Sequence, residues 1–420
     1  MVSKRLMSLR AIGADEWLSV LFAVWFLLTV LTPEDVYRTF FHALIYPLTL
    51  LLLLRRNMSV VAAQDRFILL FLAFCGYAAV TTWFVGGGPE DRDFQASRWA
   101  LESALGMLAF FFWAHSTRYR PRAWGRWILV VALAGSVAGL ITVDPELLTE
   151  SRAEGLGAMA HPIQAASIVS MFLAVGLFLM LFRPQPLGSI DIALMSLAVS
   201  IVWFFVAATL SRGPLVALTL YLMVLVVVLC FRQKQIRVLV LLGVAFGLLA
   251  VLIDLLVGLP QLFDHLVSRG GSYRVEIWSA YLNYPPESIL FGNGLGFDFR
   301  RTEAANMLQL SSGLDIAHPH NIWLGAFSET GLIGLALQGG LLTLPVIAVF
   351  RSKLAADIKL HLQAILGLFV LLTFSDEFTL LISVRAIWLF GWLPLILVWV
   401  WASQGQLMAA APNEQGRVNS

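Results

Sequence analysis

The sequence predicts an all-α polytopic membrane protein with about twelve transmembrane helices. Of its 420 residues, 59% are hydrophobic and 13% are charged, whereas soluble domains carry about 25% charged residues. The mean hydropathy is +0.82, and apolar runs recur at the length of about 17–25 residues that a helix needs to cross a bilayer. The net charge of +2 and the lack of a basic stripe exclude a nucleic-acid partner.

Twelve apolar runs are predicted as the transmembrane helices. The weakest boundary is 209–213, where only Leu210-Ser211-Arg212-Gly213 separates two spans whose apolar residues could form one helix. A helix of about 40 apolar residues exceeds one crossing, so a tight turn is predicted there, with Pro214 in the first turn of the next helix. The predicted spans are 16–32, 36–54, 66–85, 97–115, 125–143, 163–182, 189–209, 213–231, 236–257, 320–350, 360–379 and 384–402.

Four regions follow from these spans. Residues 1–258 hold the first nine helices, 259–319 form one long hydrophilic loop, 320–403 hold the last three helices, and 404–420 form a tail. Loops of this length are usually functional or disordered, and the aromatic residues of this one argue against disorder. Within it, the apolar residues at 275, 278 and 282 predict a partly buried helix at the membrane interface.

The distribution of basic residues predicts that both termini are cytoplasmic. In that orientation, 18 of the 28 lysines and arginines lie on the cytoplasmic side, as the positive-inside rule requires. The long loop 259–319 then lies on the opposite face of the membrane. We therefore expect the chemistry of this protein at that outer face.

Two histidines and an asparagine come directly after the long loop, at the mouth of an apolar helix. Titratable side chains at a membrane boundary are costly to keep, which makes His318, His320 and Asn321 functional candidates. Histidine has an ordinary pKa near 6.5 and can accept a proton at neutral pH, although a hydrated interfacial residue is the alternative. Because the histidines flank Pro319, we expect them to project in different directions. Asn321 could orient a ring or a sugar hydroxyl.

Two arginines at predicted helix starts are candidates for binding phosphate. Arg212 precedes a helix N-terminus, whose free N–H groups and dipole favour an anion, and Arg274 begins the interfacial helix. The ordinary alternatives are a snorkelling helix end for Arg212 and an ion pair with Glu276 for Arg274. Arg152 and His161, near the start of another span, are auxiliary candidates that could equally be interfacial residues.

A run of three glycines near the end of the long loop is interpreted as a tight turn back to the membrane. Gly292, Gly294 and Gly296 resemble a dinucleotide-binding fingerprint, but that motif needs a strand and a βαβ unit, for which the loop has no room. The sequence contains no zinc-type spacing of cysteines and histidines, so we expect no metal ion and no other cofactor. Gly331 and Gly334 in the next helix predict close helix packing.

Five short motifs occur in order over residues 150–335. They are Arg152…Gly155…His161-Pro162, Ser211-Arg212-Gly213, Arg274…Trp278, Gly292-x-Gly294-x-Gly296, and His320-Asn321…Glu329-x-Gly331-x-x-Gly334. At these residues the sequence resembles the O-antigen ligase and polymerase superfamily of bacterial membrane glycosyltransferases. The resemblance implies a GT-C-like helical fold in the inner membrane. It also implies a metal-independent, inverting transfer of a glycan from undecaprenyl diphosphate to an acceptor hydroxyl at the periplasmic face.

The resemblance also implies roles for the candidate residues. Arg212 and Arg274 match the arginines expected to bind the donor diphosphate, and His320 matches the histidine expected to deprotonate the acceptor. His318 could exchange roles with His320. Two guanidinium groups can stabilise a leaving diphosphate without a metal. Among family activities the sequence is most like O-antigen ligase, whose partners are undecaprenyl-diphosphate-linked O-antigen, lipid A–core oligosaccharide and membrane lipids.

Three alternatives stay open. O-antigen polymerase shares the donor and the chemistry, and protein O-oligosaccharyltransferases share them too but usually carry an extra soluble region. A polytopic transporter is the alternative from a different class. Transporters tend to place charges near mid-membrane in broken helices and to contain internal repeats. Here the candidates cluster at one predicted face and no repeat is evident, which favours an enzyme.

Overall fold

The computed structural model describes residues 13–85, 90–142, 152–182, 187–231, 273–313, 315–316, 318–374 and 379–408, with the single positions 243, 247 and 251. The regular secondary structure of these residues is helical. Among them, eight helices are long and apolar enough to cross a membrane, and two shorter apolar helices accompany those eight. The chain is therefore an all-α polytopic membrane protein, as the sequence predicts.

Helices lie over eleven of the twelve predicted spans, and the twelfth, 236–257, falls outside the described residues apart from its three single positions. The last helix continues to residue 408, past the predicted start of the tail, and the remainder of that tail also falls outside the described residues. In chain order the described helices are α1 (Gly13–Leu31), α2 (Glu34–Leu53), α3 (Arg56–Gln64), α4 (Arg66–Val85), α5 (Glu90–Thr117), α6 (Pro121–Ile141), α7 (Pro162–Leu181), α8 (Ser189–Ala208), α9 (Arg212–Phe231), α10 (Arg274–Asn283), α11 (Glu303–Ser312), α12 (Ile322–Arg351), α13 (Ala356–Phe374) and α14 (Leu393–Met408).

Two packed helices, α9 and α13, define one end of the bundle. The hydroxyl of Tyr221 in α9 lies 2.7 Å from Nε2 of His361 in α13. At a rise of 1.5 Å per residue, Arg212 lies about 13 Å from Tyr221 along α9, and Phe374 lies about 20 Å from His361 along α13. Successive crossings alternate in direction, and α9 and α13 cover the eighth and eleventh predicted spans, so we infer that they are antiparallel. Both residues then lie toward the same end, called the site end below.

A cluster of aromatic side chains packs α1 and α2 against α5. The rings of Trp25 and Phe41 have centroids 4.8 Å apart, and those of Phe22 and Phe110 are 5.3 Å apart. All four side chains are fully buried. In a membrane, where lipid is as apolar as the side chains, such close packing is a main source of helix association.

The helix α12 is not one straight crossing. Gly331 interrupts it with φ 64° and ψ −165°, and the side-chain amide of Gln338 donates a hydrogen bond of 3.3 Å to the carbonyl oxygen of Ile322. A continuous helix would hold those two residues about 24 Å apart. The helix therefore folds back at Gly331 into a short arm, 322–330, and a long arm, 332–351. The predicted span over 320–350 is helical and apolar enough to cross a membrane. Within it, the long arm alone, about 20 residues, already has the length of a crossing.

Backbone from the long loop fills the break in α12. This segment, residues 288–296, contains the three glycines and is called the glycine loop. A helix break frees backbone groups that lipid cannot solvate, and hydrogen bonds to the glycine loop satisfy them. Three of these bonds are Asn293 N–H to Ser328 O (2.8 Å), Gly294 N–H to Glu329 O (2.8 Å) and Leu332 N–H to Ile289 O (2.9 Å).

Gly331 serves this contact rather than the helix–helix packing that the sequence predicts for Gly331 and Gly334. A Cβ on Gly331 would meet the backbone of Leu290 in the glycine loop. A Cβ on Gly334 would meet Thr330 of the same helix. The close approach at Gly331 is therefore between a helix and a loop.

The helix α10 lies where the sequence predicts an interfacial helix, but its buried face is different. Val275 and Leu282, predicted to be partly buried, are 75% and 65% exposed. The buried side carries Tyr281, which stacks on Phe299 with centroids 3.8 Å apart and an interplanar angle of 10°. The apolar residues of α10 could form either of two faces at helical spacing. The face that is buried carries Ile277 and Tyr281, because it packs against the 299–308 segment.

Candidate active site

The three residues predicted to carry the chemistry all lie at helix N-termini. Arg212 and Arg274 are the first residues of α9 and α10, and His320 lies two residues before α12. In the described part of the chain, the non-glycine residues with positive φ are Leu210, Tyr273 and His320, at 51°, 51° and 50°. Each lies at one of the three candidates or within two residues of it. Such backbone costs roughly 1–3 kcal/mol and concentrates at binding and catalytic sites, where the surrounding structure maintains it.

The turn that presents Arg212 is braced by Arg152. The guanidinium of Arg152 donates one hydrogen bond to the carbonyl oxygen of Thr209 (2.9 Å) and another to the hydroxyl of Ser211 (2.8 Å). Both acceptors belong to the tight turn between α8 and α9, which the sequence places at this boundary. Arg152 therefore lies beside the arginine candidate and fixes its backbone.

The two histidines lie against each other, with ring centroids 4.1 Å apart and an interplanar angle of 59°. The prediction that they project in different directions is wrong. The positive φ of His320 turns the chain after Pro319, so that the second ring returns to the first. A proton or a substrate hydroxyl near one imidazole is therefore also near the other.

Asn321 is the N-cap of α12. Its side-chain oxygen accepts hydrogen bonds from the N–H groups of Trp323 (2.9 Å) and Leu324 (3.2 Å), and the residue is 3% exposed. A side-chain oxygen in this position satisfies backbone donors that have no partner within the helix. The oxygen that the sequence suggested for orienting a ring or a sugar thus sets where the helix begins.

Trp278 joins the helix of Arg274 to the turn of His320. It lies one turn after Arg274, on the same side of α10, and its indole N–H donates a 3.0 Å hydrogen bond to the carbonyl oxygen of Pro319. Its ring meets that of Phe374 edge-on, with centroids 5.2 Å apart. Phe374 lies at the site end of α13, the helix that packs against α9. Contacts of one side chain therefore connect α10, the histidine turn and the end of the bundle where α9 begins.

Glu329 fixes the glycine loop to the short arm of α12. The residue is 5% exposed, and Oε1 accepts a 2.9 Å hydrogen bond from the N–H of Gly296. Burial, together with the negative charges of Glu329 and Asp298, raises the pKa of Tyr281 in α10 far above its ordinary value. The Glu329 carboxylate thus influences both the glycine loop and α10.

His161 lies in a different part of the site end. It precedes α7, is exposed, and lines a cavity of about 300 Å³ together with Glu34, Gln164 and Arg385. The sequence identifies His161 but not Glu34, Gln164 or Arg385. No local pattern brings residues from opposite ends of the chain together, so only the fold could identify this cavity.

Two comparisons with known proteins bear on this site. Residues 197–338 match the family model described as O-Antigen ligase. An O-antigen ligase of Pseudomonas aeruginosa is 27% identical over 394 residues, which cover 92% of this chain and 90% of that protein. The predicted resemblance to the O-antigen ligase superfamily is confirmed. The family match includes Arg212, Arg274 and His320. It ends at Gln338, whose hydrogen bond to Ile322 joins the two arms of α12.

Proposed function

We propose that this protein is an O-antigen ligase of the bacterial inner membrane, and that it transfers O-polysaccharide from undecaprenyl diphosphate to lipid A–core oligosaccharide at the periplasmic face. The observation that carries the proposal is the position of Arg212, Arg274 and His320 at helix N-termini with positive-φ backbone. The similarity to an O-antigen ligase along nearly the whole chain supports the same activity.

In the proposed mechanism, Arg212 and Arg274 bind the diphosphate of the donor. Guanidinium groups form paired hydrogen bonds with phosphate oxygens, and the N-termini of α9 and α10 add free N–H groups and a favourable dipole. As the bond from the anomeric carbon to the diphosphate oxygen breaks, negative charge develops on the leaving group. Two fixed arginines stabilise that charge more strongly in the transition state than in the ground state.

His320 is the proposed general base. It takes the proton of the acceptor hydroxyl as that oxygen attacks the anomeric carbon from the side opposite the diphosphate, which inverts the configuration. Histidine is suited to this step because its ordinary pKa lies near neutral pH. His318, whose ring lies beside that of His320, is the proposed neighbour that orients the base or exchanges roles with it.

The surface of α9 supports a lipid-linked donor. Val216, Leu220, Met223 and Val227 follow Arg212 at helical spacing, and these four apolar side chains are 57%, 46%, 60% and 47% exposed. Residues at this spacing lie on one face of a helix. A polyprenyl chain along that face would bring its diphosphate to Arg212, at the site end of the helix.

One structural feature bears on the transporter alternative. Transporters use broken helices to offer backbone groups to a solute, and α12 is broken at Gly331. Here the backbone groups beside the break are hydrogen-bonded to the glycine loop. The break therefore serves to shape the scaffold, which favours the enzyme.

Lipopolysaccharide gel analysis of a deletion strain, complemented with the wild type or with His320→Asn, tests the proposal. For a ligase, deletion removes all O-chain from lipid A–core while lipid-linked polymer accumulates, and only the wild type restores the O-chain. Attachment of a single repeat unit would identify the polymerase instead. An unchanged lipopolysaccharide profile in the deletion strain would overturn the proposal.

A further inference from the structure

A cavity of about 300 Å³ lies at the site end, between the start of α2, the turn before α7 and the segment before α14. Binding pockets for small molecules begin at about this volume. Each of the three walls supplies polar side chains: Glu34 from the first, His161 from the second together with Gln164 in the first turn of α7, and Arg385 from the third. The small residues Gly157, Ala158 and Ala160 line the cavity between them.

The side chains of this cavity match hydroxyl groups better than phosphate. Arg385 Nε lies 3.6 Å from Oε1 of Glu34, and Arg38 donates a 3.1 Å hydrogen bond to the same oxygen. A phosphate binding Arg385 would approach the carboxylate and be repelled by it. A hydroxyl can donate to the carboxylate and accept from the guanidinium at the same time. The side-chain amide of Gln164 supplies a further donor and a further acceptor.

The walls of the cavity are held in place by contacts other than the Glu34–Arg385 pair. The indole N–H groups of Trp388 and Trp392 donate to the carbonyl oxygens of Ile382 (3.1 Å) and Leu380 (2.8 Å), which fixes the segment before Arg385. Both members of the Glu34–Arg385 pair are 48% exposed, and exposed pairs contribute little to stability. The pair is therefore better explained by a ligand than by support of the fold.

The opposite wall is equally fixed. Gly157 has φ 60°, and a Cβ there would meet the carbonyl oxygen of Thr32 at the end of α1. From this turn the chain leads back to Arg152, which braces the turn of Arg212. The cavity and the proposed diphosphate site thus share the segment 152–161, while their polar side chains are different.

We propose that this cavity is a subsite for a neutral sugar unit of a glycan. The inference rests on the proposed glycan transfer and extends it. The sugar could belong to the acceptor core oligosaccharide or to the donor O-polysaccharide, because both present the same hydroxyl chemistry. Its role is to hold the glycan while the reaction proceeds elsewhere at the site end.

Steady-state kinetics with purified lipid-linked O-polysaccharide and lipid A–core test the subsite. Glu34→Gln keeps an acceptor oxygen but replaces a charge-assisted hydrogen bond with a weaker neutral one, and Gln164→Leu removes a hydrogen-bonding side chain. Each variant should raise KM for one substrate about tenfold. The kcat should stay unchanged, since neither residue contacts the reacting atoms. Asp35→Asn, an exposed carboxylate next to Glu34 that does not line the cavity, is the matched control.

The affected substrate identifies the source of the sugar. A higher KM for lipid A–core assigns the subsite to the acceptor, and a higher KM for the lipid-linked polymer assigns it to the donor. Unchanged KM values for both substrates in both variants, with normal turnover of the wild type, would overturn the inference.

Direct binding separates this inference from the proposed function. Core oligosaccharide freed of lipid A, and O-polysaccharide freed of its carrier, are titrated into the detergent-solubilised wild type and Glu34→Gln. If the wild type transfers no glycan, the proposed function has failed. The subsite is then supported by saturable binding that Glu34→Gln weakens about tenfold, and it is overturned if neither saccharide binds the wild type.

Discussion

The indole N–H of Trp278 donates a 3.0 Å hydrogen bond to the carbonyl oxygen of Pro319, between the two histidines. The helix that begins with Arg274 is thereby fastened to the turn that carries His320. In the proposed mechanism, Arg274 binds the leaving diphosphate and His320 deprotonates the acceptor hydroxyl. The two residues must then keep a fixed separation, because the leaving group and the attacking oxygen lie on opposite sides of one anomeric carbon. Trp278 provides one direct connection between them.

Replacement of Trp278 should therefore lower the rate more than the stability. Trp278→Phe retains a ring against Phe374 but loses the hydrogen bond, so we expect kcat for glycan transfer to fall about fivefold, the equivalent of one bond of about 1 kcal/mol. The kcat of Trp278→Leu, which also loses the ring contact, should be lower still. Wild-type kcat in both purified variants would contradict the role of this contact.

Arg152 should be replaceable by neither lysine nor alanine. Its guanidinium bridges Thr209 and Ser211, and the single ammonium of lysine lacks the planar fork that spans two acceptors. We expect Arg152→Lys to lose about tenfold in kcat while the protein remains in the membrane. Arg300→Lys, an exposed arginine paired with Asp298, is the control and should retain full activity. Equal activity of the two variants would show that Arg152 does not position Arg212.

The sequence predicts where the helices lie better than it predicts the backbone geometry within and between them. The apolar run over 320–350 is correctly helical, but hydropathy carries no information on direction, so the reversal at Gly331 is invisible to it. The available signal was length, since this run exceeds one crossing. The contact between His318 and His320 was missed for a related reason, because it depends on one backbone dihedral at His320. The cavity around Glu34 and Arg385 depends on tertiary contacts alone.

The reversal of α12 requires glycine at position 331. Gly331→Ala would combine a positive φ with a clash against the backbone of Leu290, so we expect a lower thermal unfolding temperature and loss of transfer. Gly339 is the matched control within the same helix, because a Cβ there meets nothing within 4 Å. Gly339→Ala should be neutral or stabilising by about 0.5–1 kcal/mol. Thermal unfolding in detergent distinguishes the two, and equal stability would contradict the reversal.

Glu329 should act as a hydrogen-bond acceptor. Glu329→Gln keeps a side-chain oxygen for the N–H of Gly296 and should preserve stability to within about 1 kcal/mol, whereas Glu329→Ala leaves that donor unsatisfied and should cost about 1–3 kcal/mol. Unfolding measurements on both variants test this difference. If Gln is as destabilising as Ala, the negative charge rather than the hydrogen bond is what the fold requires.

His320→Asn separates the chemistry of His320 from its backbone conformation. Asparagine tolerates positive φ far better than most residues, so the turn should be retained while the imidazole is lost. We expect no detectable glycan transfer together with a wild-type unfolding temperature. His318→Asn, at the neighbouring ring, should retain measurable transfer. The opposite pattern, an inactive His318 variant and an active His320 variant, would assign the base to His318.

The fold-back of α12 makes the short arm a lever with Gly331 as its pivot. Nine residues of helix, about 13 Å, separate the pivot from the histidine turn. A rotation of about 5° at the pivot would therefore move His320 by about 1 Å, and a misplacement of that size can cost about a hundredfold in rate. The hydrogen bond from Gln338 to Ile322 holds the N-terminal end of the short arm against the long arm. Gln338 therefore fixes the position of His320, which lies eighteen positions before it in the chain.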